Sequence, residues 1–249
     1  MRIIGIIPAR YASTRFPGKP LALIDGIPMI QRVYMQAEKA SLLSSVVVAT
    51  DDQRIIDAVH GFGGKAVMTS ADHASGTDRC REALEKQIEE FDAVINIQGD
   101  EPYIDPDQIN QVAELLSPGC PIASLCAPIS KPTELFNPNV VKVVLNLQSR
   151  ALYFSRNPIP YYRGVPEEEW LLRMPYYKHM GIYAYLSEVL KKLTQLPVSD
   201  LEKAESLEQL RWMENGFSIA MGVSHALSFG VDTPEDVDKL RNFFGKTAY

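Results

Sequence analysis

Residues 8–20 concentrate cations and small hydrogen-bonding groups in one short stretch. The cations are Arg10, Arg15 and Lys19, and the smaller donors are Ser13, Thr14 and Gly18. This set suits a polyphosphate, because guanidinium and ammonium groups form charge-assisted hydrogen bonds with phosphate oxygens. A solvated basic loop has the same composition, so charge alone leaves both interpretations open. Position favours phosphate, since the stretch follows an apolar run and ligands of open parallel sheets bind at the carboxyl ends of strands.

Asp100 is a candidate metal ligand. It follows the apolar run 93–97, where it would present a hard oxygen ligand at the same edge of the sheet as residues 8–20. Its alternative role is to cap the helix predicted to start near Pro106, but Asp105 is already a candidate cap there. We therefore expect Mg²⁺ at Asp100, close to the phosphates.

Asp232 is a second carboxylate placed just before a predicted helix, residues 234–244. Asp232 or Thr233 at the N-cap, with Glu235 or Asp236 in the first turn, is a favourable capping arrangement. From the residues alone, a helix cap is the stronger interpretation of Asp232.

The elements that must position these residues alternate along the first hundred residues. Short β-branched runs, which predict strands, lie at residues 3–7, 45–50, 65–68 and 93–97. Helix-length segments lie between them at residues 29–40, 53–60 and 77–90. This alternation predicts parallel strands joined by crossover helices.

The pattern changes after residue 120. Strand-like segments at residues 121–127, 140–147 and 151–154 have short connections, which predict antiparallel pairing and hence a mixed sheet. Residues 156–178, rich in proline and tyrosine, are predicted to be a structured excursion or a mobile flap that contacts a substrate or a second subunit. Strands at 179–185 and 217–221 and helices at 200–215 and 234–244 complete the prediction.

Composition excludes several classes of protein. The chain has 249 residues, 46% of them hydrophobic and 22% charged, which is ordinary for a folded globular protein. The formal net charge of -6 and the absence of a long basic cluster argue against a nucleic-acid partner. We predict no membrane span and no signal peptide. Three cysteines without a CxxC pair suggest neither a disulfide framework nor a zinc site, so we expect a cytoplasmic protein.

The sequence closely resembles the 3-deoxy-manno-octulosonate (KDO) cytidylyltransferases, also called CMP-KDO synthetases. Three motifs in this order carry the resemblance, at residues 6–20, 98–102 and 230–236. Further similar stretches are residues 71–79, 136–144, 151–156, 179–183 and 207–211. The resemblance covers nearly the whole chain. It implies an α/β fold of the Rossmann-like, glycosyltransferase-A-like nucleotidyltransferase type. In this fold a mixed, mostly parallel sheet is flanked by helices, with a smaller antiparallel portion for the acceptor and for dimerisation.

The resemblance also implies one nucleotidyltransferase domain over residues 1–249, and it assigns residues to roles. Residues 1–120 would bind the nucleotide, 121–225 the acceptor sugar and a second subunit, and 226–249 would return the second metal carboxylate to the main body. The implied nucleotide ligands are Arg10, Ser13, Arg15, Lys19, Ala74, Ser75, Gly76, Arg79, Gln98 and Asp100. The implied sugar ligands are Gln98, Arg156, His179, Tyr183, Glu208 and Gln209. Asp100 and Asp232 would hold Mg²⁺, and with Arg15 and Lys19 they form the implied catalytic set.

The residues alone give partial support to the acceptor site. A sugar acid carries a carboxylate and several hydroxyls, so its pocket needs a guanidinium and several neutral or acidic hydrogen-bonding groups, which this set provides. Without the resemblance, Glu208 would be interpreted as part of a solvated helix face, paired with Arg211.

The function implied is transfer of CMP from CTP to KDO by a homodimer, with pyrophosphate released, for lipopolysaccharide synthesis. The anomeric hydroxyl would attack the α-phosphorus in line, Mg²⁺ would orient it, and Arg15 and Lys19 would offset charge on the leaving pyrophosphate. Two alternatives stay open. One is a cytidylyltransferase for a sialic-acid-type sugar or an amino-modified octulosonate. The other is a non-catalytic nucleotide-sugar sensor on the same fold.

Overall fold

The computed structural model describes residues 1–12, 16–226 and 229–244. The chain divides into two compact units, one formed by residues 1–110 with the segment from 226 onward, and one formed by residues 111–225. In the part of the chain that is described, no helix has both the length and the apolar character needed to cross a membrane.

The first unit consists of short strands and helices in alternation. Its strands are β1 (Ile3–Ala9), β2 (Leu23–Ile24), β3 (Ile27–Pro28), β4 (Ser45–Thr50), β5 (Ala66–Met68) and β6 (Ala93–Asn96). Its helices are α1 (Met29–Ala37), α2 (Gln53–Gly61), α3 (Gly76–Glu85), α4 (Pro106–Glu114), within which the chain passes to the second unit, and the closing α10 (Pro234–Phe244).

Four strands of this unit pair in the order β6-β1-β4-β5, and every pair is parallel. Parallel neighbours need long crossover connections, which the helices α1, α2 and α3 supply. The strands β4 and β6 are buried along nearly their whole length because helices cover the sheet. The predicted parallel α/β arrangement is confirmed, and it brings the residues that follow β1, β4, β5 and β6 to one edge of the sheet.

The second unit is a mixed assembly. Its strands are β7 (Ile122–Pro128), β8 (Lys142–Leu145), β9 (Ala151–Ser155), β10 (Tyr177–Leu186) and β11 (Ile219–Val223). Its helices are α5 (Pro132–Leu135), α6 (Trp170–Arg173), α7 (Ser187–Leu193), α8 (Asp200–Glu205) and α9 (Glu208–Glu214). The strand β10 is antiparallel to β7 and β8, β8 is antiparallel to β9, and β11 is parallel to β7. The predicted antiparallel pairing is confirmed.

Three predictions about helix length are wrong. The segment 29–40 is helical only as far as Ala37, where α1 ends. The segment 200–215 is two helices rather than one, because Ser206 adopts a left-handed conformation with φ of 51° and ends α8. The segment 77–90 is helical only as far as Glu85, where α3 ends. The break at Ser206 turns the last carbonyl groups of α8 towards other side chains, which matters for the site described below.

The excursion 156–178 is structured. Trp170 and Tyr176 are buried with Leu135 and Ile129 in a small core of their own. Trp170 Nε1 also donates to the Val165 carbonyl at 2.9 Å, so the indole is satisfied where it is buried.

Candidate active site

The loop after β1 closes on itself before it reaches Lys19. The Gly18 N–H donates to the Tyr11 carbonyl at 2.9 Å, and Gly18 has φ of 72°, which favours glycine. A Cβ at Gly18 would also lie 3.2 Å from the Tyr11 ring. The Arg54 guanidinium covers that ring at 3.3 Å from its centroid. The loop is thereby anchored at both ends, although Ser13 and Arg15, two predicted ligands, lie outside the described residues.

A cavity of about 350 Å³ opens beside this loop. It is lined by Pro8, Ala9, Arg10, Ala12, Lys19, Pro20, Gln98, Gly99 and Asp100. Its volume falls within the usual range of small-molecule sites. The predicted residues Arg10, Lys19, Gln98 and Asp100 are thus brought together from the ends of β1 and β6, as the parallel sheet requires.

Lys19 lies between the two carboxylates that were predicted to bind metal. Its Nζ donates to Asp100 Oδ2 at 2.8 Å and lies 3.6 Å from Asp232 Oδ1. It also donates to the Val231 carbonyl at 2.9 Å. The two carboxylates, more than a hundred residues apart in sequence, therefore share one ammonium group.

Asp232 reaches this position because its segment is fixed by backbone contacts and by packing. The Val231 N–H donates to the Asp100 carbonyl at 2.9 Å, and the Val231 side chain is fully buried in a cluster with Ile24 and Leu240. Asp236 Oδ2 accepts from the Asp232 and Thr233 N–H groups at 3.1 and 3.0 Å. The backbone N–H groups at the start of α10 are therefore bonded by Asp236, and the Asp232 carboxylate faces Lys19.

These two carboxylates fit Mg²⁺. Mg²⁺ is held in proteins by one or two carboxylates together with substrate phosphates, and both donor types would meet at this cavity. No set of three or more His, Cys, Asp or Glu side chains suited to a metal occurs among the described residues, so water and substrate phosphates would supply the other ligands of a metal here.

The start of α3 packs against the end of β1. Ser75 and Asp78 form a capping box, in which Ser75 Oγ accepts from the Asp78 N–H at 3.1 Å. A Cβ at Gly76 would lie 3.3 Å from Pro8 Cγ, so the helix start and the cavity wall are in close contact. Ala74 is exposed just before this turn. Their predicted contacts with the nucleotide stay predictions.

Arg79 and Arg10 lie in different surroundings. The Arg79 side chain is fully buried and donates to Thr69 Oγ1 at 2.5 Å and to Asp51 Oδ2 at 3.2 Å. Arg79 thus ties together the residues that follow β4 and β5, and its role as a nucleotide ligand stays a prediction. Arg10, at the cavity, donates to the His73 carbonyl.

In the second unit, the Arg156 guanidinium donates to three backbone carbonyl groups. Nε donates to Glu205 at 2.6 Å, Nη1 to Pro138 at 3.0 Å and Nη2 to Ser206 at 3.3 Å. The carbonyls of Glu205 and Ser206 are those exposed by the end of α8, which usually need such a partner. Arg156 is therefore held in a defined orientation.

His179 and Tyr183 belong to one aromatic cluster. Their ring centroids are 5.2 Å apart, and the Trp212 ring is edge-on to Tyr183 at 5.1 Å. His179 Nε2 is 3.0 Å from Ser124 Oγ, and desolvation lowers the pKa of His179 to about 3, so the imidazole is neutral. Burial, and then the charge of Glu208, raises the pKa of Tyr183 well above its usual value. Within the described residues the Tyr183 hydroxyl has no hydrogen-bond partner.

Glu208 and Gln209 begin α9, next to this cluster. Gln209 is buried, whereas Glu208 accepts from Arg211 Nη2 at 2.9 Å. The pairing that the sequence suggested for Glu208 is therefore present. Its charge nevertheless acts on Tyr183, which places it within electrostatic reach of the aromatic cluster.

Two charged residues around Arg156 were not predicted from the sequence. Glu205 accepts from the Arg156 N–H at 2.9 Å, and Lys142 Nζ donates to the Arg156 carbonyl. Lys142 did carry a signal, because a lysine among the valines of a buried strand is unusual. Glu205 carried a weaker signal, since it lies on the same edge of the predicted helix 200–215 as Glu208 and Gln209, and nothing in the sequence indicated a contact with Arg156.

Comparison with known proteins gives the context for this geometry. Residues 4–219 match the family model described as cytidylyltransferase. The 3-deoxy-manno-octulosonate cytidylyltransferase of Parabacteroides distasonis is 55% identical over 98% of each chain, and that of Bacteroides thetaiotaomicron is 54% identical with the same coverage. The chain belongs to the 3-deoxy-manno-octulosonate cytidylyltransferase family.

A solved structure extends the comparison to the fold. It is described as CMP:2-keto-3-deoxy-manno-octonic acid synthetase complexed with CTP, is 46% identical, and superposes with a TM-score of 0.92 over 99% of this chain and 100% of the other. The family membership and the nucleotidyltransferase fold expected from the sequence motifs are confirmed. As a cytidylyltransferase, the chain is an enzyme.

Proposed function

We propose that this cytidylyltransferase transfers CMP from CTP to KDO, giving CMP-KDO and pyrophosphate for lipopolysaccharide synthesis. The observation that carries the proposal is the 55% identity over 98% of the chain to a relative named for this sugar. Each unit by itself is compatible with it. The first unit offers cations and carboxylates for a nucleoside triphosphate, and the second unit offers a guanidinium and several hydrogen-bonding side chains for a sugar acid.

The first unit binds and orients CTP. Arg10 and Lys19, from either side of the closed loop, provide fixed positive charge for the phosphates, and we assign Arg15 and Ser13 to the same task. When pyrophosphate leaves, negative charge grows on its oxygens, and cations already in place stabilise that charge without reorganisation. Lys19 and Arg10 are both placed for this, since both line the cavity.

Asp100 and Asp232 would hold Mg²⁺ in this proposal. Mg²⁺, when bound, supplies charge neutralisation at phosphate oxygens and orients the sugar hydroxyl. The two aspartates contribute anionic oxygens. The backbone segments that carry them are held together by the hydrogen bond from the Val231 N–H to the Asp100 carbonyl.

The second unit recognises the sugar acid. Arg156 pairs with the sugar carboxylate, and His179, Tyr183, Glu208 and Gln209 bind sugar hydroxyls. Since the pKa of His179 is about 3, its imidazole is a neutral hydrogen-bonding group at physiological pH and does not compete with Arg156 for the carboxylate. The hydroxyl that attacks the α-phosphorus in line is the anomeric one.

We also propose that the enzyme is a cytoplasmic homodimer. The three cysteines are all buried and none forms a disulfide, which agrees with a reducing compartment. Light scattering of the purified protein measures the dimer directly, and a mass of 27.8 kDa at micromolar concentration would contradict it.

The test is pyrophosphate release, measured with each nucleoside triphosphate and a panel of acid sugars, with and without Mg²⁺. We expect turnover only with CTP, KDO and Mg²⁺ together. Preferential turnover of a nine-carbon acid would favour the sialic-acid-type alternative, and CTP binding without turnover of any acid sugar would favour the sensor.

The matched variant for this test is Asp100→Asn, which keeps the size of the side chain and removes its charge. We expect it to lower kcat about 10²–10³-fold, a loss typical of a removed transition-state contact. Full activity in a folded Asp100→Asn protein would show that this carboxylate is not part of the machinery.

A further inference from the structure

Both backbone polar groups of Arg156 are held by charged side chains. Its N–H donates to Glu205 Oε2 at 2.9 Å, and its carbonyl accepts from Lys142 Nζ. The other carboxylate oxygen of Glu205 accepts from Ser155 Oγ at 2.7 Å. Backbone groups are usually paired with other backbone groups, so this use of two charged side chains at one residue is notable.

Lys142 also shapes the segment that carries another partner of Arg156. Its Nζ donates to the carbonyls of Asn137 at 3.0 Å and of Val140 at 2.6 Å. Pro138, whose carbonyl accepts from Arg156 Nη1 at 3.0 Å, lies between those two residues. One ammonium group therefore fixes both the Arg156 backbone and the turn that holds its guanidinium.

The guanidinium keeps donors for a ligand. Three of its five N–H groups donate to the carbonyls of Pro138, Glu205 and Ser206. Among the described contacts, one N–H on each terminal nitrogen is left over. Two such N–H groups, one on each of two nitrogens, can serve a carboxylate, and the three carbonyls set their direction.

A buried lysine is an unfavourable choice at position 142 if its only role is to stabilise the fold. Lys142 is fully buried in β8, where burial lowers its pKa and the charge of Glu205 partly opposes that effect. Burying an ammonium group has a large desolvation cost that is offset only when all its hydrogens are bonded, and an apolar residue is often at least as stable at such a position. A role beyond stability would explain a lysine among the valines of this strand.

We propose that Lys142 and Glu205 are positioning residues, which fix Arg156 so that its two remaining N–H groups meet the carboxylate of the sugar acid. The inference rests on the proposed function, because it assigns Arg156 to that carboxylate. It adds two residues that do not touch the substrate but determine how well the acid group is recognised.

The main variant is Lys142→Met, which keeps the length of the side chain and removes the ammonium. We expect it to raise KM for KDO about 10- to 100-fold, since a small displacement of a substrate-binding group has effects of this size. KM for CTP should change less than about twofold. The second variant, Glu205→Gln, keeps the side-chain shape and should shift the same constants in the same direction, which keeps the test available if Lys142→Met does not fold.

A substrate analogue separates positioning from a general structural role. In wild type, replacing the KDO carboxylate by its primary amide should raise KM sharply, because Arg156 loses its charged partner. In Lys142→Met and Glu205→Gln, replacing the carboxylate by the amide should raise KM for the sugar only slightly further. A variant that was merely less stable would lose activity with the acid and the amide in the same ratio as wild type.

The control is Lys178→Met. Lys178 pairs directly with Lys142 across β10 and β8, and its ammonium bonds Glu134 instead of Arg156. We expect unchanged KM for KDO in this variant. If Lys142→Met and Glu205→Gln, folded by circular dichroism, keep wild-type KM for KDO and wild-type discrimination against the amide, the inference is overturned. If wild type itself releases no pyrophosphate with CTP and any acid sugar, the proposed function fails, and the inference fails with it.

Discussion

Lys19 occupies the space between the two carboxylates proposed to hold Mg²⁺, and this has a testable consequence. A divalent ion that binds Asp100 and Asp232 in the absence of nucleotide has to displace the Lys19 ammonium from contacts at 2.8 and 3.6 Å. Replacing Lys19 by methionine removes this competitor. Lys19→Met should therefore bind the metal more tightly in the absence of nucleotide, although it should be a much poorer enzyme.

The size of the effect follows from the contacts that are lost. A hydrogen bond to a charged group contributes about 1.5–3 kcal/mol, and an exposed ion pair only about 0.2–1 kcal/mol. The side chains of Lys19 and Asp100 are 18% and 30% exposed, and that of Asp232 is 53% exposed, so screening reduces the total. We take about 1–2 kcal/mol, which corresponds to a dissociation constant about 5- to 30-fold lower.

The assay is a titration with Mn²⁺ as the probe, in which electron paramagnetic resonance measures the free ion. It is run without nucleotide on wild type, Lys19→Met and the control Lys239→Met. Lys239 pairs with Asp236 at 2.8 Å, so its loss removes one positive charge from the helix after Asp232 without vacating the space between the two carboxylates. Kinetics should show kcat lowered about 10²–10³-fold in Lys19→Met.

Two outcomes would refute this reasoning. Weaker or unchanged Mn²⁺ binding in Lys19→Met would mean that Lys19 supports the carboxylates rather than competing for them. Equal tightening in Lys239→Met would mean that net charge, and not displacement of the ammonium, sets the affinity.

Two further predictions concern packing and pH. A Cβ at Gly99 would lie 2.9 Å from the Pro8 carbonyl oxygen. Gly99→Ala should therefore separate the two loops of the cavity and lower kcat/KM about 10- to 100-fold in steady-state kinetics. The control is Gly61→Ala, whose added Cβ meets nothing within 4 Å and which should leave kcat/KM unchanged. Because the folded pKa of His179 is about 3 and the usual value is 6.5, the unfolded chain takes up this proton first, and stability is lost as pH falls from about 6.5 towards 3. Between pH 7 and pH 4.5, the free energy of unfolding in urea should fall less in His179→Gln than in wild type. Equal losses in the two proteins would contradict the lowered pKa of His179.

The sequence predicted the first unit well because its signals are local. The β-branched run 45–50 forms β4 with the same bounds, and the helix predicted from residue 53 begins there, where Asp52 caps α2 by accepting from the Arg54 N–H at 2.9 Å. A parallel sheet brings the residues after each strand to one edge, so the strand pattern was enough to predict that Arg10 and Asp100 lie close together. The assignment of Asp232 to a metal needed the resemblance, since from the residues alone a helix cap was the stronger interpretation.

What the sequence did not predict depends on contacts between distant residues. The end of α8 at Ser206 has no strong local signal, because serine is neither a usual left-handed residue nor a helix breaker. That end is stabilised by Arg156, fifty residues earlier, whose Nη2 donates to the Ser206 carbonyl. The roles of Lys142 and Glu205 depend on this same long-range contact, which no local pattern of residues indicates.

Arg156 and Lys19, two of the cations proposed to bind substrate groups, differ in the partners that hold them in the free protein. Arg156 is held by neutral carbonyls, so a carboxylate can add to its remaining N–H groups without displacing anything. Lys19 is held mainly by carboxylates, so a triphosphate or a metal has to exchange with existing partners. A loss of supporting contacts should therefore weaken ligand binding at Arg156, whereas a loss of Lys19 itself should strengthen metal binding between Asp100 and Asp232. Lys142→Met should therefore weaken the binding of KDO, and Lys19→Met should strengthen the binding of the metal ion.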